Sequence, residues 1–292
     1  MTPIANRRPR ALAALIATLP LAAAAGRATA ADVLSGQLLV EREAAFQQAA
    51  IERGTRAAFL EFLADNAVLL RPEPVPGRAT IASGAPPGAP LRWKPDLAMI
   101  SGHGDFGWTS GPFSSFRHSA DERPAVTGHY FTVWWVEDKL WHVVLDGGVP
   151  YPVADAALPH HLEVTPVLRR PGSGDVGTKD CGQEFAEAWR FKGRAKALKG
   201  YLANDARLLY AGAPPRDGKA IVPASDPLAA ARLGGTHVTR RIASEFGDVA
   251  VSYGDYELES TVDAPPRRLL YVQAWDLRGS CKLALEALNP PG

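Results

Sequence analysis

The 292-residue sequence has little of what builds special-purpose sites. It carries two cysteines and seven histidines. Two cysteines are too few for a disulfide-stapled scaffold, and no Cys-x-x-Cys or His-x-x-x-His spacing occurs, so no metal centre is expected. It has no excess of one charge, with 32 Lys and Arg against 31 Asp and Glu. Phosphate binding needs clustered positive charge, so nucleic acid is not an expected partner. It lacks a Gly-x-Ser-x-Gly elbow and a Gly-rich phosphate loop, and no cofactor is expected. What it does have is enough apolar residues, 46%, to fill packed cores, in a chain long enough for two domains at roughly 100–200 residues each.

The first thirty residues read as an address. They contain Arg7, Arg8, Arg10 and Arg27 but no acid, then an apolar run from Ala11 to Ala25, and they end at Ala28-Thr29-Ala30. A basic start, an apolar stretch of this length and a small-x-small exit mark a signal peptide over residues 1–30. The run is too short and Ala-rich for a membrane span, and no later segment reaches that length. Arg7-Arg8 hints at twin-arginine export, although Pro9-Arg10 fits that pattern poorly. Cleavage after Ala30 leaves 262 residues in which 28 Lys and Arg face 31 Asp and Glu. The mature chain is expected to be periplasmic or secreted, in an oxidising space.

An internal repeat sets the organisation. Phe62–Leu70 resembles Tyr201–Leu209 at an offset of 139, and Gly104–Gly111 resembles Gly247–Gly254 at 143. Tyr130–Trp134 matches Tyr271–Trp275 at 141, and Trp141–Asp146 matches Cys281–Glu286 at 140. Four matches in one order indicate a duplicated domain. Between the copies, Pro150, Pro152, Pro159, Pro166, Pro171 and Gly172-Ser173-Gly174 read as a connector. The expected layout is a first unit over 33–150, a linker over 151–179 and a second unit over 180–289.

Each unit opens with helical spacing. Leu38, Leu39, Phe46, Ala49 and Ala50 form an apolar stripe, with Glu41, Arg42, Glu43, Gln47 and Gln48 set around it and Gly54 as the stop. A short second helix carries Phe59, Phe62 and Leu63. In the second unit Cys181, Phe185, Ala188 and Trp189 share a stripe, followed by Leu198, Tyr201 and Leu202. Strand patterns follow at Phe131–Val136, Trp141–Leu145, Val249–Tyr253, Leu269–Trp275 and Lys282–Leu285. Helices first and strands afterwards predict an α+β fold with an antiparallel sheet in each unit.

The order of elements resembles the nuclear transport factor 2-like superfamily, with its ketosteroid isomerase-like and SnoaL-like members and a bacterial branch of unknown function. The resemblance is carried by Phe62–Leu70, Arg71-Pro72-Glu73-Pro74-Val75-Pro76-Gly77, Gly104–Gly111 and Tyr130–Asp146. It spans nearly all of the first unit and reaches the second through the repeat. It implies two tandem cone-shaped domains, helices packed on a curved sheet, each with a pocket at its open end. It also implies pairing through the outer sheet faces, here as an intramolecular pseudo-dimer. The position of the isomerase-like general base falls on Arg71 and on Tyr210, neither of which removes a proton at neutral pH as an Asp does. Glu73, two residues on, is a substitute candidate. The acid of SnoaL-like enzymes on the last strand falls on Asp146 and Glu286.

The aromatics carry the other candidates. Trp108, Tyr130, Thr132 and Trp134 in the first unit, and Tyr253, Tyr271, Gln273 and Trp275 in the second, are expected to line the cones. An aromatic lining with one or two polar groups suits a small apolar ligand; the same residues also suit plain core packing. Cys181 on its helix stripe and Cys281 on the apolar face of its strand are expected to form a disulfide, the alternative being two buried thiols. Three functions compete: a non-catalytic binder of a small apolar molecule or partner, an isomerase-, cyclase- or hydratase-type enzyme using Asp146 or Glu286 as base, and a scaffold.

Overall fold

The computed structural model describes residues 30–84, 88–154, 158, 167–169, 180–218, 221, 226–260 and 265–292. The expected signal peptide, apart from Ala30, and most of the expected linker lie outside the described residues. Among the described residues no helix is long and apolar enough to cross a membrane.

Each unit opens with a long helix, a glycine and a short helix. In the first, α1 (Ala30–Arg53) meets α2 (Thr55–Phe62) at Gly54. In the second, α4 (Cys181–Lys192) meets α5 (Arg194–Tyr201) at Gly193. The two glycines hold φ of 87° and 85°, a left-handed backbone that a side chain resists, so the corner between the helices is the same in both copies. Asp180 caps α4 by accepting the backbone N–H of Gln183 at 3.1 Å.

The strands form two sheets. The first contains β1 (Leu63–Leu70), β2 (Pro74–Pro76), β3 (Leu91–Trp93), β4 (Leu97–Ile100), β5 (Phe106–Ser115), β6 (Val126–Glu137), β7 (Leu140–Pro150) and β8 (Val167–Arg169), in the order β2-β1-β7-β6-β5-β4-β8 with β3 beside β5. The second contains β9 (Leu202–Tyr210), β10 (Ala213–Asp217), β11 (Leu233–Ala243), β12 (Val249–Leu258), β13 (Arg267–Asp276) and β14 (Lys282–Asn289), in the order β10-β9-β14-β13-β12-β11. The fold is α+β with two sheets, and α3 (Gly77–Ser83) covers the first. The sheets are mixed rather than purely antiparallel. The strand that follows the short helix lies parallel to the last long strand of its unit, β1 with β7 and β9 with β14. A helix intervenes before β1 and β9, so no hairpin constrains their direction. The expected linker is not bare of structure either: Val167–Arg169 pairs in parallel with Leu97–Met99 at the sheet edge.

The sheets curl because the ladder breaks at equivalent points. A Cβ on Gly111 would lie 1.9 Å from the carbonyl oxygen of Lys94, and one on Gly254 would lie 1.9 Å from that of His237. The neighbouring strand passes this close where β3 gives way to β4, and where a register shift interrupts β11 between Val238 and Arg240. Only glycine admits the approach, and the bend turns each sheet around its helices.

Alternation along the strands separates two faces. One faces the helices of its own unit, as Phe46 does with Phe59, Phe62 and Trp134. The other faces the second unit. Trp108, Phe131, Val133 and Leu145 join Val249, Val251, Tyr253, Val272, Ala274 and Leu285 in one apolar cluster. The rim of this contact is reciprocal. Asp105 accepts the backbone N–H of Glu245 at 2.7 Å, and Asp248 accepts that of Gly102 at 2.7 Å. Ser101 donates to Asp105 and Ser244 to Asp248 in the same manner. His103 stacks on Phe246 with centroids 3.5 Å apart. These pairs are related by the repeat offset of 143, so the two copies meet about a local two-fold axis. Cys181 and Cys281 are joined by a disulfide between the start of α4 and the approach to β14.

Candidate functional site

The first unit holds a partly open cavity of about 640 Å³. Phe46, Phe59 and Ile81 close it from the helices, Trp93, Leu91 and Phe113 from the sheet, and Tyr130, Thr132 and Asp146 line its polar side. The sheet register explains that cluster. Thr132 on β6 lies opposite Asp146 on β7, so both point to the concave face, with Tyr130 two residues along. Asp146 accepts from Thr132 Oγ1 at 3.1 Å and from Arg71 Nη2 at 3.0 Å. Burial pushes the Asp146 carboxyl above its usual range, against the pull of Arg71 and Thr132. The Tyr130 hydroxyl is buried and has no hydrogen-bond partner among the described residues. Burial also holds that phenol well above its usual pKa, so it stays a neutral donor.

Behind this wall sits a residue that the sequence reading placed on the polar side of α1. Glu43 is fully buried and accepts three hydrogen bonds, from Trp93 Nε1 at 2.5 Å, Thr109 Oγ1 at 2.5 Å and Trp134 Nε1 at 2.8 Å. No cation donates to it among the described residues. Burial raises its pKa to about 7, although the three donors work in the opposite direction. The signal was present in the spacing: Leu39, Glu43, Phe46 and Ala50 fall at i, i+4, i+7 and i+11, which sets Glu43 on the core stripe.

The second unit has the same architecture and a filled cone. Arg194, fully buried, ion-pairs with Glu286, with Nε 2.6 Å from Asp226 and Nη2 2.7 Å from the Tyr210 hydroxyl. Tyr210 also donates to Asp226 at 2.9 Å, and Gln273 donates to Glu286 at 3.0 Å and to Tyr256 at 2.7 Å. Burial works against the Arg194 charge, but Glu286, Tyr210 and Asp226 outweigh it and the guanidinium stays protonated. Trp189 covers it, with the ring 4.5 Å away. The repeat offset of 139 aligns Arg194 with Thr55, a cavity-lining residue of the first unit whose hydroxyl donates to Ala89 O. Arg194 is thus one of the differences between the cones, together with Tyr210, which aligns with Arg71, and Asp226.

The residues singled out from sequence divide accordingly. Tyr130, Thr132 and Asp146 meet at the cavity. Trp108 and Tyr253 do not: they sit opposite Val133 and Val272 on the outer faces, in the apolar contact between units, because strand parity turns them away from the helices. Trp134 is on the concave face but too deep, beneath α1, where it donates to Glu43. Tyr271, Gln273 and Trp275 are core residues of the filled cone. Tyr271 stacks on Tyr256 at 4.4 Å, Trp275 packs edge-on to Phe185 at 6.0 Å, and Gln273 serves Glu286. Glu286 is no free base, since Arg194 neutralises it. Glu73 faces away from the cavity and pairs with Arg268 of the second unit at 3.0 Å. Among the described residues no group of three metal-ligating side chains converges.

No family model and no curated protein matches the chain. Solved structures do. An NTF2-like protein with a cystatin-like fold from Novosphingobium aromaticivorans is 15% identical, covering 45% of this chain and 96% of its own, with a TM-score of 0.35. An NTF2-like protein from Cytophaga hutchinsonii is 16% identical over 38% of this chain and 93% of its own, with a TM-score of 0.31. A protein described as a candidate SnoaL-like polyketide cyclase from Mesorhizobium loti is 15% identical over 37% of this chain and 95% of its own, with a TM-score of 0.28.

Proposed function

We propose that the protein captures a small, largely apolar molecule in the cavity of its first unit, against the Tyr130 ring, and holds the ligand's one polar end at Thr132 and Asp146. The observation that carries this reading is a partly open cavity of about 640 Å³ with a largely apolar lining and Thr132 and Asp146 together on one side of it. That volume lies within the range of small-molecule sites, and an apolar lining with a few convergent polar groups is their usual make-up. Among the described lining residues the only carboxylate, Asp146, already has Arg71 beside it, and the other guanidinium, Arg56, is held by the carbonyls of Ile81 and Ala82. We place this binder outside the cytoplasm, a location supported by the disulfide and by the signal-like first thirty residues.

Native mass spectrometry of the full chain from its own host tests the reading through co-purified mass, alongside titration with the neutral fluorophore N-phenyl-1-naphthylamine. Ile81→Trp, which takes up part of the cavity, is expected to weaken binding of both the co-purified ligand and the fluorophore. A wild-type chain with neither co-purified ligand nor fluorophore binding overturns the proposal.

A second reading, an isomerase- or cyclase-type reaction with Asp146 as base, is favoured by one observation: a buried carboxylate with a raised pKa on the cavity wall. Asp146→Asn separates the two, since it removes a base but leaves the cavity's shape. Turnover of the identified ligand that survives in Asp146→Asn sinks the enzymatic version.

A further inference from the structure

The cavity of the first unit is not closed by the first unit alone. Ala211, Asn289, Pro290 and Pro291, all from the second unit, lie on its wall. They are held there from both sides. Asn289 Nδ2 donates to the carbonyl oxygen of Gly148, a lining residue at the end of β7, at 3.0 Å. The turn bearing Ala211 is fixed by Gly212 N–H donating to Pro150 O at 2.9 Å and by Ala211 N–H donating to Leu288 O at 3.2 Å. On the other side a Cβ on Gly292 would meet Pro72, itself a lining residue, at 3.3 Å.

We propose that the second unit, its own cone filled by Arg194, serves as the rim of the first unit's cavity, and that Ala211, Pro290 and Pro291 govern which ligands pass and how fast. The proposal rests on the ligand-binding reading and adds to it a division of labour: one copy keeps the site and the other gates it. Two physical points support it. Consecutive prolines have fixed φ and no N–H, so Pro290-Pro291 forms a stiff apolar edge rather than a loop that folds inward. Ala211 is exposed and has a one-carbon side chain, so any larger residue there narrows the opening without disturbing a core.

The test is stopped-flow association of N-phenyl-1-naphthylamine with the full chain. Pro290→Gly with Pro291→Gly loosens the rim and is expected to raise the association and dissociation rates several-fold. Ala211→Trp narrows it and is expected to lower the association rate several-fold, with the thermal midpoint unchanged. Opposite shifts from the two variants support the proposal. Wild-type rates in both, while Ile81→Trp still weakens binding, overturn the rim and leave the ligand-binding reading intact. A wild-type chain that does not bind the fluorophore and carries no ligand overturns both.

Discussion

Two buried charged groups show how much a single side chain decides. Glu43 holds its carboxyl among three neutral donors, and burial raises its pKa to about 7 from 4.5. The folded chain therefore keeps that proton more tightly than the unfolded one. Stability from this source is full below the unfolded value and is lost as pH rises through about 7, amounting to roughly 3 kcal/mol at the most. Glu43→Gln is expected to flatten this slope, read from urea midpoints at pH 5 and pH 8; an unchanged slope refutes the assignment. Arg194 presents the opposite case, a cation among acids. Arg194→Ala leaves Glu286 and Asp226 buried without their partner, and breaking such a pair costs about 3–5 kcal/mol. Chemical unfolding measures it, and a variant as stable as the parent contradicts the plug. Glu286 was visible in the repeat as the counterpart of Asp146. Its neutralisation was not, because Arg194 is 92 residues away in sequence and nothing local marks it as buried.

Among the elements, the bend in each sheet depends on a glycine facing a carbonyl. Gly254→Val puts a side chain into the space of His237 O and forces β11 and β12 apart. Overpacking of this kind costs about 1–3 kcal/mol, and the backbone clash places the change at the upper end or beyond. Gly235→Val, at a site where the nearest atoms are the far end of Glu257, is the control expected to cost less. Equal losses would show that the close approach does not matter. Strand and helix positions were legible from periodicity, with the strands running longer in the structure, as at β7, which extends through Gly147-Gly148 to Pro150. Glycines lower local strand propensity, and only pairing with β6 carries the strand across them. Strand direction was less legible: the parallel joins β1–β7 and β9–β14 depend on where the helices deposit the chain, which periodicity does not encode.

For the whole molecule, the outer faces of the two sheets share one apolar cluster around Trp108 and Tyr253. Pairing within one chain is expected to leave the intact protein a monomer by light scattering. The separate 33–150 segment exposes Trp108, Phe131 and Val133 and is expected to self-associate in the same measurement. A dimeric intact chain with a monomeric segment would contradict the internal pairing. The second cone is filled from within, yet its rim residues Ala211, Pro290 and Pro291 reach the neighbouring cavity.

The sequence by itself determined the α+β class, the tandem repeat and the shared strand face of Tyr130 and Thr132, because two-residue alternation and a 139–143 offset are properties of the chain read along its length, whereas Asp146 was reached through the family resemblance. Which of two nearly identical cones stays open was decided only in three dimensions. It turns in part on Thr55 against Arg194, and on whether a long side chain finds Glu286 and Asp226 across the sheet. Which aromatic faces a cavity and which faces the other unit was settled there too: parity gives a side chain its face, but only the packed sheets say what that face meets.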